Sequence, residues 1–186
     1  MERLISILKN ASVDTRDFQM MIKILGIDPG SRMTGYGIIE AHGNQISYIA
    51  AGVIRTDSKD LGQRLHAIYQ GLDDIIQTFQ PNICAIEQVF VKINVQSALK
   101  LGQARGAAVA AVGRHGLEVF EYSARTVKQS VCGSGAADKA QIQKMISLLL
   151  PKAPKDLTAD AADALGIAIT HAHHQQWQIQ TTIKLE

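Results

Sequence analysis

Cysteine is nearly absent from this chain: Cys84 and Cys132 are the only two in 186 residues, with no metal-ligand partner at short spacing. Neither a disulfide framework nor a zinc site can be read from them, and a reducing, cytoplasmic setting fits. No apolar run approaches the roughly 20 residues of a membrane span, so a transmembrane helix is not expected. The opening "MERLISILKNASVDTRDFQM" lacks the basic start, apolar block and small-residue cleavage site, in that order, of a secretory signal. Internal repeats and low-complexity tracts are missing too. What is present, 46% hydrophobic and 19% charged residues, is the balance of one folded globular domain large enough for a real core.

The net charge of +2 hides an asymmetry. From Lys92 to Lys155 ten Lys and Arg face three acids (Glu118, Glu121, Asp138), an excess of seven positive charges. An ordinary solvated surface and a phosphate-contacting surface both fit that excess.

Hydrophobic periodicity sets the order of elements. "IKILGID" (22–28), "TGYGIIEA" (34–41) and "QISYIAAGVIRT" (45–56) read as strands joined by short Gly- or Asn-bearing links, hence two hairpins. Apolar residues from Leu61 to Phe79 recur at three and four, an amphipathic helix followed by Pro81. A strand over 82–90, a helix rich in small residues over 95–116 and a strand over 117–122 come next. Helices near 123–131, 137–150 and 158–174 complete the chain. A meander feeding strand–helix–strand units predicts an α/β fold: a mixed five-stranded sheet with helices on both faces. One folded domain is expected over 21–175. Residues 1–20 are expected to be a flexible extension or to precede the working start at Met21, and 176–186 to be a C-terminal tail.

Four acids stand out against this frame. Gly30 and Gly35 have Walker A spacing, but Tyr36 and Gly37 occupy the places of the required Lys and Ser or Thr, so a P-loop fails. What remains is Asp28 at the end of an apolar strand, where an unpaired carboxylate is costly, although Asp-Pro-Gly also makes an ordinary turn. Glu87 ends a second such strand. If the two strands are parallel neighbours, both carboxylates emerge at the carboxyl edge, where α/β sheets commonly place their sites. Asp160 and Asp163, three apart at the start of the last helix, share a face; either they cap that helix or they supply two more oxygen ligands. Four such carboxylates suit one or two Mg2+ ions, which could promote in-line phosphodiester hydrolysis. A metal site at His171, His173 and His174 is a weaker alternative without Cys or HExxH support. Phe90 reads either as core or as an aromatic tip set to stack on bases.

At this point the chain resembles the RuvC family of Holliday-junction resolvases, endonucleases of RNase H-like fold. The resemblance rests on "ILGIDPGSRMTGYG", "AIEQVF", "SALKLGQARGAA", "VFEYSARTVKQSVCGSG" and "ADAADALGIAITHAH", and covers about 22–174. It implies that Asp28, Glu87, Asp160 and Asp163 form a catalytic centre holding Mg2+ (Mn2+ as substitute). It further implies that Lys128 and Lys139 lie near the DNA and the scissile phosphate, and that Phe90 contacts bases at the branch point. Family members commonly carry that Phe, then two residues, then Lys-Asn. Here Asn94 is kept, Ile93 replaces the Lys, and Lys92 stands one place earlier, so the basic contact in this loop is shifted. The implied reaction is hydrolysis by two symmetric nicks leaving 5′-phosphates, performed by a homodimer on four-way junction DNA. RuvA and RuvB are the implied partners in recombination and repair.

Two rivals share parts of this pattern. A nucleotide-binding domain of the actin and sugar-kinase type would need a second lobe and a second Asp-Gly phosphate loop. A non-catalytic junction-binding module would make the acids dispensable. The small residues Ala98, Gly102, Gly106 and Ala107 serve equally for a dimer contact or for packing their helix on its own sheet.

Overall fold

The computed structural model describes residues 21–89 and 95–183, with only the backbone described beyond residue 175. Strands β1 (Ile22–Asp28), β2 (Met33–His42) and β3 (Gln45–Arg55) form the expected meander. Helix α1 (Leu61–Phe79) leads to β4 (Ile83–Glu87), and α2 (Val95–Arg114) to β5 (Glu118–Tyr122). Helices α3 (Ala124–Cys132), α4 (Lys139–Leu149) and α5 (Ala159–Ile183) follow. The strand order is β3-β2-β1-β4-β5, antiparallel from β1 to β3 and parallel from β1 through β4 to β5.

Alternation along β1 divides the core between two faces, because successive strand side chains point oppositely. Leu25 and Ile27 join Ile38, Cys84 and Ile86 under α1 and α2, against Ile68, Leu72, Ala104, Ala108 and Val112. Ile24, with Ile39 and Ala85, faces Val127, Ile142, Ile146, Leu165 and Ala168 of the other three helices. The result is the expected α/β/α layering.

Element ends follow local chemistry. Asp60 caps α1 by accepting from the Gln63 amide at 2.8 Å, and Gln80 ends it in the left-handed region at φ 49°. Asp138 and Gln141 form a capping box at the start of α4. β4 stops at Glu87 rather than 90, after which the Gln88 amide still donates to the Tyr122 carbonyl. The last helix runs beyond the expected 174 to Ile183, and its continuation "HHQQWQIQTTI" contains no glycine or proline to end it.

His171 sits where α5 crosses β5. It is buried, tilted against Phe120 at a centroid distance of 4.4 Å, with Nδ1 2.8 Å from the Tyr122 hydroxyl. Burial, reinforced by repulsion from His174, pushes its imidazolium down to about 4 from 6.5. The unfolded chain therefore binds a proton between those pH values that the folded chain refuses. Stability is full above about 6.5 and falls as pH drops toward 4, by about 3 kcal/mol from this residue. Melting His171→Gln and the parent chain at pH 7 and pH 4.5 tests this: the variant should lose less in Tm on acidification. Equal losses would remove the assignment.

Candidate active site

Asp28 and Glu87 arrive together because β1 and β4 are parallel neighbours paired up to Ile27 and Ile86, one residue short of each acid. Both carboxylates therefore leave the sheet at the same carboxyl edge. Behind Asp28 the Pro29–Arg32 turn is fastened twice. Thr34, fully buried, donates its hydroxyl to the Gly30 carbonyl at 3.2 Å. Thr56 donates to the carbonyls of Ser31 and Arg32 at 3.2 and 3.1 Å. These hydrogen bonds hold the link after Asp28 in place.

Helix α5 reaches this edge over glycines. Asp28 pairs with Gly35 in the adjacent strand, and a Cβ on Gly35 would overlap the Asp160 carbonyl oxygen. One on Gly26 would overlap the Ala164 carbonyl, and one on Gly37 would come within 2.7 Å of the Leu165 amide. Three side-chain-free positions thus let the helix backbone lie directly on β1 and β2, bringing its first turn beside Asp28. The capping alternative is resolved by the same turn. Thr158 Oγ1 accepts from the Ala161 amide at 3.3 Å and its carbonyl from Ala162 at 3.0 Å, so the helix start is capped before Asp160.

The four acids act on one another. Burial, then the charges of Glu87 and Asp163, a hydrogen bond with Glu87 and the charge of Asp160 together push the Asp28 carboxyl up to about 8. Burial also raises Glu87 and Asp163, while the ammonium groups of Lys139 and Lys128 pull both back down. Lys128 comes from α3 and Lys139 from the first position of α4, so six residues from five elements meet at one edge. As the side chains stand, Asp28 and Glu87 hydrogen-bond to each other. Among the described residues no three acidic, His or Cys side chains yet converge on a single point. The donor set is nonetheless all carboxylate oxygen and carries more negative charge than its two lysines offset, which is the chemistry of a hard divalent cation.

Phe90, Lys92 and Asn94 lie outside the described residues, as does Ile93. The histidines do not assemble into a site: His171 is held by Tyr122 and His173 Nδ1 lies 3.1 Å from Ser130 Oγ. Thr158 and the glycines of β1 and β2 went unread in the sequence. Glycine inside a strand is a known sign of close backbone approach and pointed to the helix seat.

Carboxylates crowded at the carboxyl edge of a mixed five-stranded sheet, with two lysines against them, define the class as an RNase H-like nuclease. A family model described as Crossover junction endodeoxyribonuclease RuvC matches residues 24–171. The chain is 57% identical over 150 residues to a crossover junction endodeoxyribonuclease RuvC of Vibrio vulnificus (strain YJ016), covering 81% of this chain and 86% of that one. A relative of the same description from Pasteurella multocida (strain Pm70) is 56% identical over 162 residues, covering 87% and 85%. The solved structure of T. thermophilus RuvC in complex with a Holliday junction substrate is similar at TM-score 0.79 and 28% identity, covering 84% of this chain and 96% of that chain. This chain belongs to the RuvC family of crossover junction endodeoxyribonucleases.

Proposed function

We propose that this nuclease resolves four-way DNA junctions by paired symmetric nicks during recombination and repair, with Asp28, Glu87, Asp160 and Asp163 as its Mg2+-holding catalytic centre. The observation that carries the reading is the meeting of those four acids with Lys128 and Lys139 at the carboxyl edge. The described helices include none long and apolar enough to cross a membrane, in keeping with action on DNA in the cytoplasm. The T. thermophilus relative bound to a junction supports the substrate.

When bound, Mg2+ (or Mn2+) supplies Lewis-acid polarisation of the phosphate and lowers the pKa of water. The chain's own residues do the remainder. The four carboxylates fix the position of the reaction centre, and the fastened Pro29–Arg32 turn holds Asp28 rigid within it. Lys128 and Lys139 offset the repulsion that a phosphodiester would meet on approaching four acids. Lys139, at the start of α4, is the group for the scissile phosphate, where an ammonium stabilises the charge that develops on its oxygens. Water adds to phosphorus and the 3′ oxygen leaves with a proton, giving 5′-phosphate and 3′-hydroxyl ends. Phe90, Lys92 and Asn94 remain the proposed base and backbone contacts at the branch point.

Two nicks call for two centres, hence a homodimer. Helix α2 offers the surface. Its sheet-facing side is Ala104, Ala108, Ala111 and Val112, whereas Gly102 and Gly106 face open space and Val95 and Leu99 are 65% and 62% exposed. Of the two readings of its small residues, the outward glycines favour a second copy. RuvA and RuvB are the proposed partners.

A cruciform plasmid tests the whole reading. With Mg2+ the wild type should give linear product, the mark of coupled nicks. Glu87→Gln and Asp163→Asn should bind the cruciform but cut it more than about 100-fold slower, since even groups behind metal ligands are worth 10–100-fold. Undiminished cutting by either variant overturns the acid centre, and nicked circles without linear product overturn the coupled dimer.

A further inference from the structure

We propose that a groove between α3 and the far part of α5 is a second phosphate-contact site, gripping the backbone of a duplex arm that leaves the carboxylate centre; this rests on the junction-cutting reading above. The groove has a volume of about 720 Å3 and is lined by Arg125, Thr126, Gln129, Ser130, His173 and His174. Among the described residues the lining includes no carboxylate, and each of these six side chains carries an N–H or O–H able to donate to a phosphate oxygen.

The groove is built rather than incidental. Gln129 ties down the turn after α3, its Nε2 donating to the Gly133 carbonyl at 2.8 Å and its Oε1 accepting from the Gly135 amide at 3.0 Å. The stem of Arg125 lies across that turn: a Cβ on Gly135 would meet its Cγ at 2.9 Å and its Nε at 3.3 Å. The exposed guanidinium is therefore laid over a fixed platform. From the same helix Ser130 Oγ, 3.1 Å from Nδ1 of His173 on the opposite wall, holds that imidazole.

Helix α3 connects the groove to the centre. Arg125 and Lys128 are three apart, hence neighbours on the helix surface. The ammonium of Lys128 acts on Glu87 and Asp163, whereas Arg125 belongs to the groove. No ion pair joins Arg125 to a carboxylate among the described residues. A strand passing Lys128 thus meets a second cation about one helical turn away, a spacing comparable to that of neighbouring phosphates. Continuity with the centre, and the excess of seven positive charges over 92–155, favour a nucleic-acid backbone over an acidic protein segment.

The test uses the full chain without divalent metal, measuring affinity for a synthetic four-way junction between 50 and 300 mM salt. Arg125→Gln should weaken binding about fivefold near 0.15 M salt and reduce the slope of log K against log salt by about 1. Arg125→Lys should restore the slope. Circular dichroism melts identify any variant that merely fails to fold; if Arg125→Gln melts early, the folded Arg125→Lys and a Thr126→Glu variant, which should steepen the affinity loss, decide instead. A folded Arg125→Gln, or Thr126→Glu in its place, with wild-type affinity and slope overturns the groove alone, as does weakened binding with an unchanged slope. A groove variant that binds junction normally but loses an acidic protein partner also overturns it. A wild type that does not bind the junction overturns the junction reading as well.

Discussion

Asp28→Asn should abolish cutting and yet raise the melting temperature. Removing this carboxylate takes away the acid most entangled with the other three, so turnover should fall by more than about 100-fold. Stability moves the other way, because the fold pays to bury this charge among like charges. The carboxyl titrates near 3.8 when free but at about 8 in the folded chain. Between those values the unfolded state releases a proton that the folded state retains, so folding stability declines as pH rises from about 4 to about 8. Asparagine keeps the shape, donates to Glu87 and does not titrate. In EDTA the variant should gain at least about 1 kcal/mol at pH 8, which is about 2–4 °C in a chain of this size. The gap should shrink toward pH 4. A variant that melts below wild type at pH 8, or whose advantage grows on acidification, would contradict the burial argument.

One added methyl group at Gly35 should do nearly as much damage to catalysis, without touching a charge. The new Cβ overlaps the Asp160 carbonyl oxygen and comes within 3.2 Å of Asp160 Cβ. Neither partner can yield cheaply, since one is sheet backbone and the other helix backbone. The first turn of α5 must lift, carrying Asp160 and Asp163 off the edge. A displacement of about 1 Å at a reaction centre costs on the order of 100-fold in rate. Overpacking of this kind costs about 2–3 kcal/mol in stability. Gly26→Ala, overlapping the Ala164 carbonyl deeper under the same helix, should lose similar stability. Gly113→Ala is the control: it lies in α2 with nothing within 4 Å of its added Cβ, so it should gain about 0.5–1 kcal/mol. Urea melts beside cutting rates read both quantities. Gly35→Ala with normal rate and stability would mean that the helix is not seated on these strands.

Much of this molecule was legible before any coordinates. The strands around Leu25, Ile38 and Ile49 announce themselves by apolar runs and short links, and α1 by its three-and-four spacing. The end of α5 was misjudged, because "THAHH" resembles a last turn while nothing after it breaks a helix. Asp160 was ambiguous for a different reason. Acids at a helix start cap and coordinate with the same atoms, and only the Thr158 hydrogen bond separates the two roles. Likewise Gly102 and Gly106 could not be assigned to the sheet or to solvent from spacing alone, since a helix pattern does not say which face a neighbour takes.

The sequence by itself determined the element types, their order and the chemical identity of the acids, because periodicity, capping and motif spacing are local properties of the chain. The tertiary structure decided which groups meet. Asp28 and Asp163 are 135 positions apart, and they become neighbours only because α5 crosses the sheet on a track of glycines. The same crossing buries His171 against β5 and opens the groove beside Arg125. Those outcomes depend on where backbones can approach, a property of two surfaces together that neither stretch of sequence carries alone.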